Sequence, residues 1–252
     1  MPVSMNFSAD QFRSIMSLFS YLKDSCQDLT IQEGKVHQLN KPRTLLFDID
    51  LTKYFGNSTV YINNIKQQHA LLSLFALDNN EVRLHFEKGK YVWLDPQSKI
   101  TYLIPDTSML DPKYLDPENV TSTNAKAIES KVFETVMDRT VLKRIEKASK
   151  TLESAVVTLK IDGDNASFIL IPSDLVSETK FDVHSVDNLS VNTYYVDTRY
   201  EVNSFILATE ELKLTLYKNS KYSSVFTMKY EALLDKIPIT VWAATKYTDN
   251  RN

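Results

Sequence analysis

Apolar and polar positions along the chain follow two periods, and the switches between them mark the elements. Val3 to Phe7 reads as a short strand. A helical period then takes over from about Ala9 to Lys23, with Phe12, Ile15, Met16, Phe19 and Leu22 as its core stripe. Ser8 stands where an N-cap belongs. DLTIQEGKVHQL turns near Gly34 as a hairpin, TLLFDIDL is a strand, and a second helix is expected from about Asn63 to Leu77. EVRLHFE, KYVWLD and KITYLIP follow as an antiparallel meander.

Residues 105–130 break the pattern with three prolines, many small polar residues and little periodicity, and read as an exposed connector. The chain then restarts. KVFETVMD is a strand ending in Asp138, a cap for the next helix, and SAVVTLKIDGDNASFILIP is a hairpin turning at Asp162 to Asn165. TKFDVHS is a strand, a short helix is expected from about Thr198 to Ala208, and ELKLTLY, SVFTMKY and IPITVWAAT close the chain. Each half is therefore strand, helix, three strands, helix, three strands. A repeat this long points to two similar domains, residues 1–104 and 131–252, joined by the connector 105–130.

The helix after Asp138 is unusual. VLKRIEKASK packs four basic residues and one acid into ten positions. At about 100° per residue Lys143, Lys147 and Lys150 fall within roughly 60° of one another. Arg139 joins that arc, while Val141, Ile145, Ala148 and Leu152 gather on the other side.

That arc changes how the overall charge is read. The 252 residues carry 32 acids against 29 Lys and Arg, so positive charge is concentrated, not general. No apolar run is long enough to span a bilayer, which gives no membrane partner, and no secretory signal opens the chain. The one cysteine, Cys26, has no partner for an intrachain disulfide, and its best reading is a small buried hydrophobe; a reducing cytoplasm fits.

Catalytic and metal chemistry find little support. The four glycines are scattered, so neither common phosphate-cradling loop is present. Asp48 and Asp50 in FDID share a strand face, but no further acids converge in sequence to make a two-metal site. Asp162, Asp164 and Asn165 resemble the start of a calcium loop whose twelfth position is Ser173, not the required Glu. His37, His69, His85 and His184 have no metal-ligand spacing. The reading is no metal, no cofactor and no enzyme. Most of the 12 Phe and 13 Tyr sit at core positions, not interleaved with cations as a base-stacking strip would be.

The repeated plan, the proline-broken connector and the basic helix resemble the sliding DNA clamps, the ring-shaped processivity factors of replicative polymerases. The two-domain length is similar to the proliferating cell nuclear antigen family and to the clamps of tailed bacterial viruses. The Asn-, Lys- and Tyr-rich character looks viral, which would place the protein in a host cytoplasm. The resemblance implies an α+β fold of two clamp domains, each with antiparallel sheets outside and two helices inside. It implies a homotrimer closing a six-domain ring around duplex DNA, with a replicative polymerase and a clamp loader as partners.

Carried onto this chain, the resemblance puts Arg139, Lys143, Lys147 and Lys150 against DNA, with Arg144 at the margin. Arg13 and Lys66 would project from the helices of the first half and Arg199 from the start of the fourth helix. The remaining residues of those faces are small and polar: Ser17, Ser20, Gln67, Ser73 and Asn203. A partner peptide would dock beside the connector, on Met109, Leu110, Tyr114 and Leu115, and beside the last strand and tail, on Ile237, Pro238 and Tyr247. KYVWLD with its neighbours, and KFDVHS, are the candidate sheet edges for subunit contacts. Two other readings stay open: a monomeric clamp-fold processivity factor holding DNA on a basic face, and a β-rich viral structural or assembly protein whose basic helix is a solvated face.

Overall fold

The chain begins with β1 (Val3–Phe7) and α1 (Ala9–Leu22). A capping box fixes the start of α1: the Gln11 amide donates to Ser8 Oγ at 3.3 Å and the Ser8 amide donates to Gln11 Oε1 at 3.0 Å, a cap worth about 1 kcal/mol. Phe12, Ile15, Leu18, Phe19 and Leu22 are buried and Met16 half-buried, so the apolar stripe is wider by Leu18 than the sequence spacing indicates. The computed structural model describes residues 3–40, 44–75, 81–87, 89–104, 128–153, 156–162, 165–170, 179–183, 195–201, 205–206, 208–219 and 226–244.

In the first half β2 (Leu29–Ile31), β3 (Lys35–Leu39) and β4 (Leu45–Asp50) lead to a short α2 (Thr52–Phe55), β5 (Val60–Ile62) and α3 (Ile65–Leu72). The meander is β6 (Val82–Glu87), β7 (Lys90–Leu94) and β8 (Lys99–Leu103). The second half runs β9 (Ile128–Asp138), α3's successor α4 (Arg139–Thr151), β10 (Val156–Asp162), β11 (Asn165–Leu170), β12 (Thr179–Val183), β13 (Tyr195–Glu201), β14 (Glu211–Asn219), β15 (Phe226–Leu234) and β16 (Ile237–Ala244).

Four expectations change. The helix expected from Thr198 to Ala208 is wrong at its start: residues 198–201 belong to β13, which pairs antiparallel with β10. The alternation in YYVDTRYE has a strand period, and a complete partner strand, β10, decides in its favour. α3 is shorter than the expected Asn63 to Leu77 and starts after Asn64, whose side chain caps it at φ 50°. α2 and β5 have no counterpart in the sequence reading. They are too short to show a period, and β5 is fixed by pairing with β2. β9 begins at Ile128, three residues before the expected restart, and residues 105–127 lie outside the described ones.

All strand pairings are antiparallel and repeat between halves. β6 pairs β1 as β14 pairs β9; β5 pairs β2 as β13 pairs β10; β4 pairs β3 as β12 pairs β11. The halves join where β16, the last strand, pairs β4 from Ile239↔Ile49 to Ala243↔Leu45. One six-stranded sheet, β3-β4-β16-β15-β14-β9, therefore crosses the junction. Pro238 has no N–H to donate but precedes that ladder, so it breaks no bond to β4.

Two turns position the junction. Gly34 adopts φ 76°, and a Cβ there would sit 2.1 Å from the Gly56 carbonyl oxygen, so only glycine fits. The β15–β16 turn holds Asp235 and Lys236 at φ 45° and 73°, a two-residue hairpin geometry that non-glycine residues adopt at some cost. Asp235 accepts a hydrogen bond from the Ser17 hydroxyl of α1, tying the turn of one half to the helix of the other.

The core is built around aromatic centres in each half. Phe7, Phe12, Phe55 and Trp93 meet in the first, Phe168, Phe205 and Tyr230 in the second. A buried polar knot docks α3: Trp93 Nε1 donates to Gln68 Oε1 at 3.2 Å, and Gln68 Nε2 donates to Tyr91 Oη and to the Asn63 carbonyl.

Candidate nucleic-acid interface

α4 starts at Asp138, whose carboxylate accepts from the Val141 amide at 2.9 Å. Its inward side buries Leu142 and Ile145 fully, with Val141, Ala148 and Leu152 packed alongside; Leu142 is the one the sequence arc omitted. Lys143, Arg144, Lys147 and Lys150 are exposed. Lys143 and Lys147 stand one turn apart, as do Arg139 and Lys143. Such like-charge pairs cost a helix about 0.2–0.5 kcal/mol each, and a cation in the first turn opposes the macrodipole. Helix stability therefore does not account for this arc.

The individual cations differ. Lys150 Nζ lies 2.8 Å from Glu146 Oε1, an exposed pair worth little. Arg139 is half-buried and donates to the Thr209 carbonyl at 3.3 Å. Arg144 lies over the Phe181 ring of β12, 5.4 Å from its centroid, which turns it toward the open edge of that sheet.

α1 and α4 face each other across a cleft of about 630 Å³ lined by Ser17, Ser20 and Lys23 on one wall and Arg139, Glu146 and Lys150 on the other. Both helices thus present their polar arcs to the same side of the chain. Arg13 is on that arc of α1 but paired with Asp10 at 2.6 Å. Lys66 is exposed in the first turn of α3, which packs against α1. His69, later in α3, has its pKa lowered by burial and by nearby Lys23, so it adds no charge near neutral pH. Arg199 is not on a helix: β13 carries it opposite Thr158 of β10, so the expected fourth-helix position is withdrawn.

The paired acids of FDID are accounted for structurally. Asp50 accepts from the Thr52 amide at 2.9 Å and its hydroxyl at 2.5 Å, which lowers the Asp50 pKa and starts α2. Asp48 lies 3.3 Å from His37 Nδ1 on the neighbouring strand.

Solved structures match this architecture over nearly the whole chain. The proliferating cell nuclear antigen of Entamoeba histolytica matches at TM-score 0.65 and 10% identity, covering 97% of this chain and 98% of that one. The Archaeoglobus fulgidus homologue bound to the C-terminal region of FEN-1 matches at TM-score 0.65 and 12% identity, over 99% and 100%. That of Thermococcus kodakaraensis matches at 0.61 and 17%, over 98% and 100%. The chain has the two-domain sliding-clamp fold. No family profile matches it, and no curated protein matches it in sequence; at 10–17% identity the likeness is one of fold.

Within the clamp fold the polar arcs of α1 and α4 lie on the helical side, and the outer sheet faces lie on the other. The row Leu39–Leu46–Trp242–Lys229 crosses the domain junction on the outer face. Leu46 is only 6% exposed there, and Lys229 sits over Trp242 at 5.3 Å. The sequence hid this row, since Leu39 and Trp242 are remote and only the β4–β16 pairing joins them. Of the expected partner-site residues, Ile237 is fully buried and Pro238 exposed at the start of β16. Met109, Leu110, Tyr114, Leu115 and Tyr247 lie outside the described residues.

Proposed function

We propose that the chain is a sliding clamp: a non-enzymatic processivity factor, three copies of which close a ring around duplex DNA and tether a replicative polymerase. The observation that carries the reading is the pattern of open sheet edges. Within the chain, the last strand of the second half (β16) pairs the FDID strand of the first (β4). Among the described residues their counterparts, β8 and β12, are edge strands of four-stranded sheets, at the ends opposite β1 and β13. β12 carries TKFDV where β4 carries LLFDI, and β8 ends the first meander as β16 ends the second. Pairing β8 of one copy with β12 of the next repeats the internal junction. A head-to-tail contact closes a ring when its rotation divides a full turn, and otherwise builds an open filament. Of the sequence's edge candidates, KFDVHS holds β12; KYVWLD is internal and its neighbour β8 is the edge.

In that ring the α4 arc faces the hole. Arg139, Lys143, Lys147 and Lys150 neutralise phosphates without reading bases, as a protein that must slide requires. Tethering raises the polymerase's effective concentration at the primer without any new catalytic group. A clamp loader would open the ring. Polymerase and loader peptides with apolar anchors would dock on the outer junction face, beside Pro238 and the Leu39–Leu46–Trp242 row, with Met109, Leu110, Tyr114, Leu115 and Tyr247 completing the site. The FEN-1 segment bound to the Archaeoglobus clamp is a precedent for peptide partners.

Light scattering tests the assembly. Three chains of 29.0 kDa should give about 87 kDa. A species that stays a monomer at working concentration would instead favour DNA held on one basic face.

A further inference from the structure

The two helices that share the cleft are matched position for position, yet their chemistry differs. Counted from the caps Ser8 and Asp138, the fifth residues are Arg13 and Lys143, the ninth Ser17 and Lys147, the twelfth Ser20 and Lys150. These positions form the outward arc of each helix. On α4 all three are exposed lysines, of which Lys150 pairs with Glu146 at 2.8 Å. On α1 the single cation, Arg13, is held by Asp10 at 2.6 Å, and the Ser17 hydroxyl is spent on Asp235 of the other half. Five basic residues against one acid leave α4 with a net charge of +4, whereas Asp10 and Arg13 leave α1 neutral. α3 adds only Lys66, since His69 stays uncharged near neutral pH.

We infer that the chain grips duplex DNA with its second domain alone. α4 supplies the phosphate contacts, and the first domain presents a wall without net charge, where Lys23 and Asp24 line the cleft together with Ser17, Ser20 and Ser25. This rests on the proposed DNA-encircling function and refines it. Of the six domains in a ring, three alternate ones hold the duplex, so the backbone is gripped at every second domain. The cleft between α1 and α4 marks the border between the gripping and the neutral surface. Construction keeps that wall from being cationic: Ser17 is engaged with Asp235, whose carboxylate adds negative charge beside the α1 arc.

The test compares charge removal on each domain by the salt dependence of binding to a short linear duplex, onto which a ring can thread. Lys143→Ser with Lys147→Ser and Lys150→Ser gives α4 the chemistry of α1. The slope of log K against log salt should then flatten by up to about 2.7 per copy engaged, at about 0.9 per contact. Arg13→Ser with Lys23→Ser and Lys66→Ser should leave the slope close to wild type. Ser20→Lys, which spares the Asp235 tie, should steepen it. Thermal unfolding near the wild-type midpoint checks that each variant folds. Equal flattening by the two removal sets, or no steepening with Ser20→Lys, overturns the inference. Encirclement fails separately, if wild-type protein leaves a closed circle as fast as a linear duplex; the slope comparison still decides which domain binds.

Discussion

At the scale of single residues, Gln68 concentrates the most structure in one side chain. It is fully buried, and it links Trp93, Tyr91 and the Asn63 carbonyl beneath α3. Gln68→Leu keeps the volume but strands the Trp93 N–H and the Asn63 carbonyl. Each unsatisfied group costs about 1–3 kcal/mol, so the variant should lose roughly 2–6 kcal/mol in urea unfolding with little change in the slope of that transition. A loss under about 0.5 kcal/mol would mean that water or relaxation satisfies those groups. Cys26 illustrates the contrast with a reactive residue: burial first, and then the Asp28 charge, push its thiol up to about 12. It is a core residue, as its sequence context implies. Gln68 was not legible, because a lone glutamine at helical spacing looks like a solvated position; only the facing strand β7 gives it partners.

At the scale of elements, the amphipathic helices and long strands were readable and the short pieces were not. α1 and α4 carry caps and a stripe over three or more turns, so sequence placed both within a residue or two. β5 and α2 span three and four residues, below the length at which a period shows. Residues 198–201 of β13 were read as the start of a helix although their alternation has a strand period, and pairing with β10 decides it. The same dependence governs the candidate site. The arc of α4 was visible as spacing, but Arg144 belongs to a different contact: its guanidinium lies on Phe181 and braces the open edge β12. Arg144→Met should therefore weaken assembly more than DNA contact. Losing about 0.5–1 kcal/mol of cation–π contact raises the concentration for half-assembly roughly two- to fivefold. Sedimentation across a dilution series reads this directly; unchanged assembly with a flattened salt slope would return Arg144 to the DNA-facing set.

At the scale of the molecule, the duplicated plan was the strongest signal in the sequence, and strand pairing adds what the sequence lacked: which edges close and which stay open. β16 on β4 joins the two halves within the chain, and β8 and β12 are the edges that the proposed ring would pair across copies. A mildly acidic chain with one cationic helix then makes sense as a ring whose charge is turned inward. The most direct measurement is retention on DNA of defined topology. Protein loaded on a nicked circle should remain through a high-salt wash that releases protein held only by ion pairs to phosphate, and should leave within the same wash once the circle is cut. Equal release from the circle and the cut linear form would contradict encirclement and leave only an ordinary basic DNA-binding face.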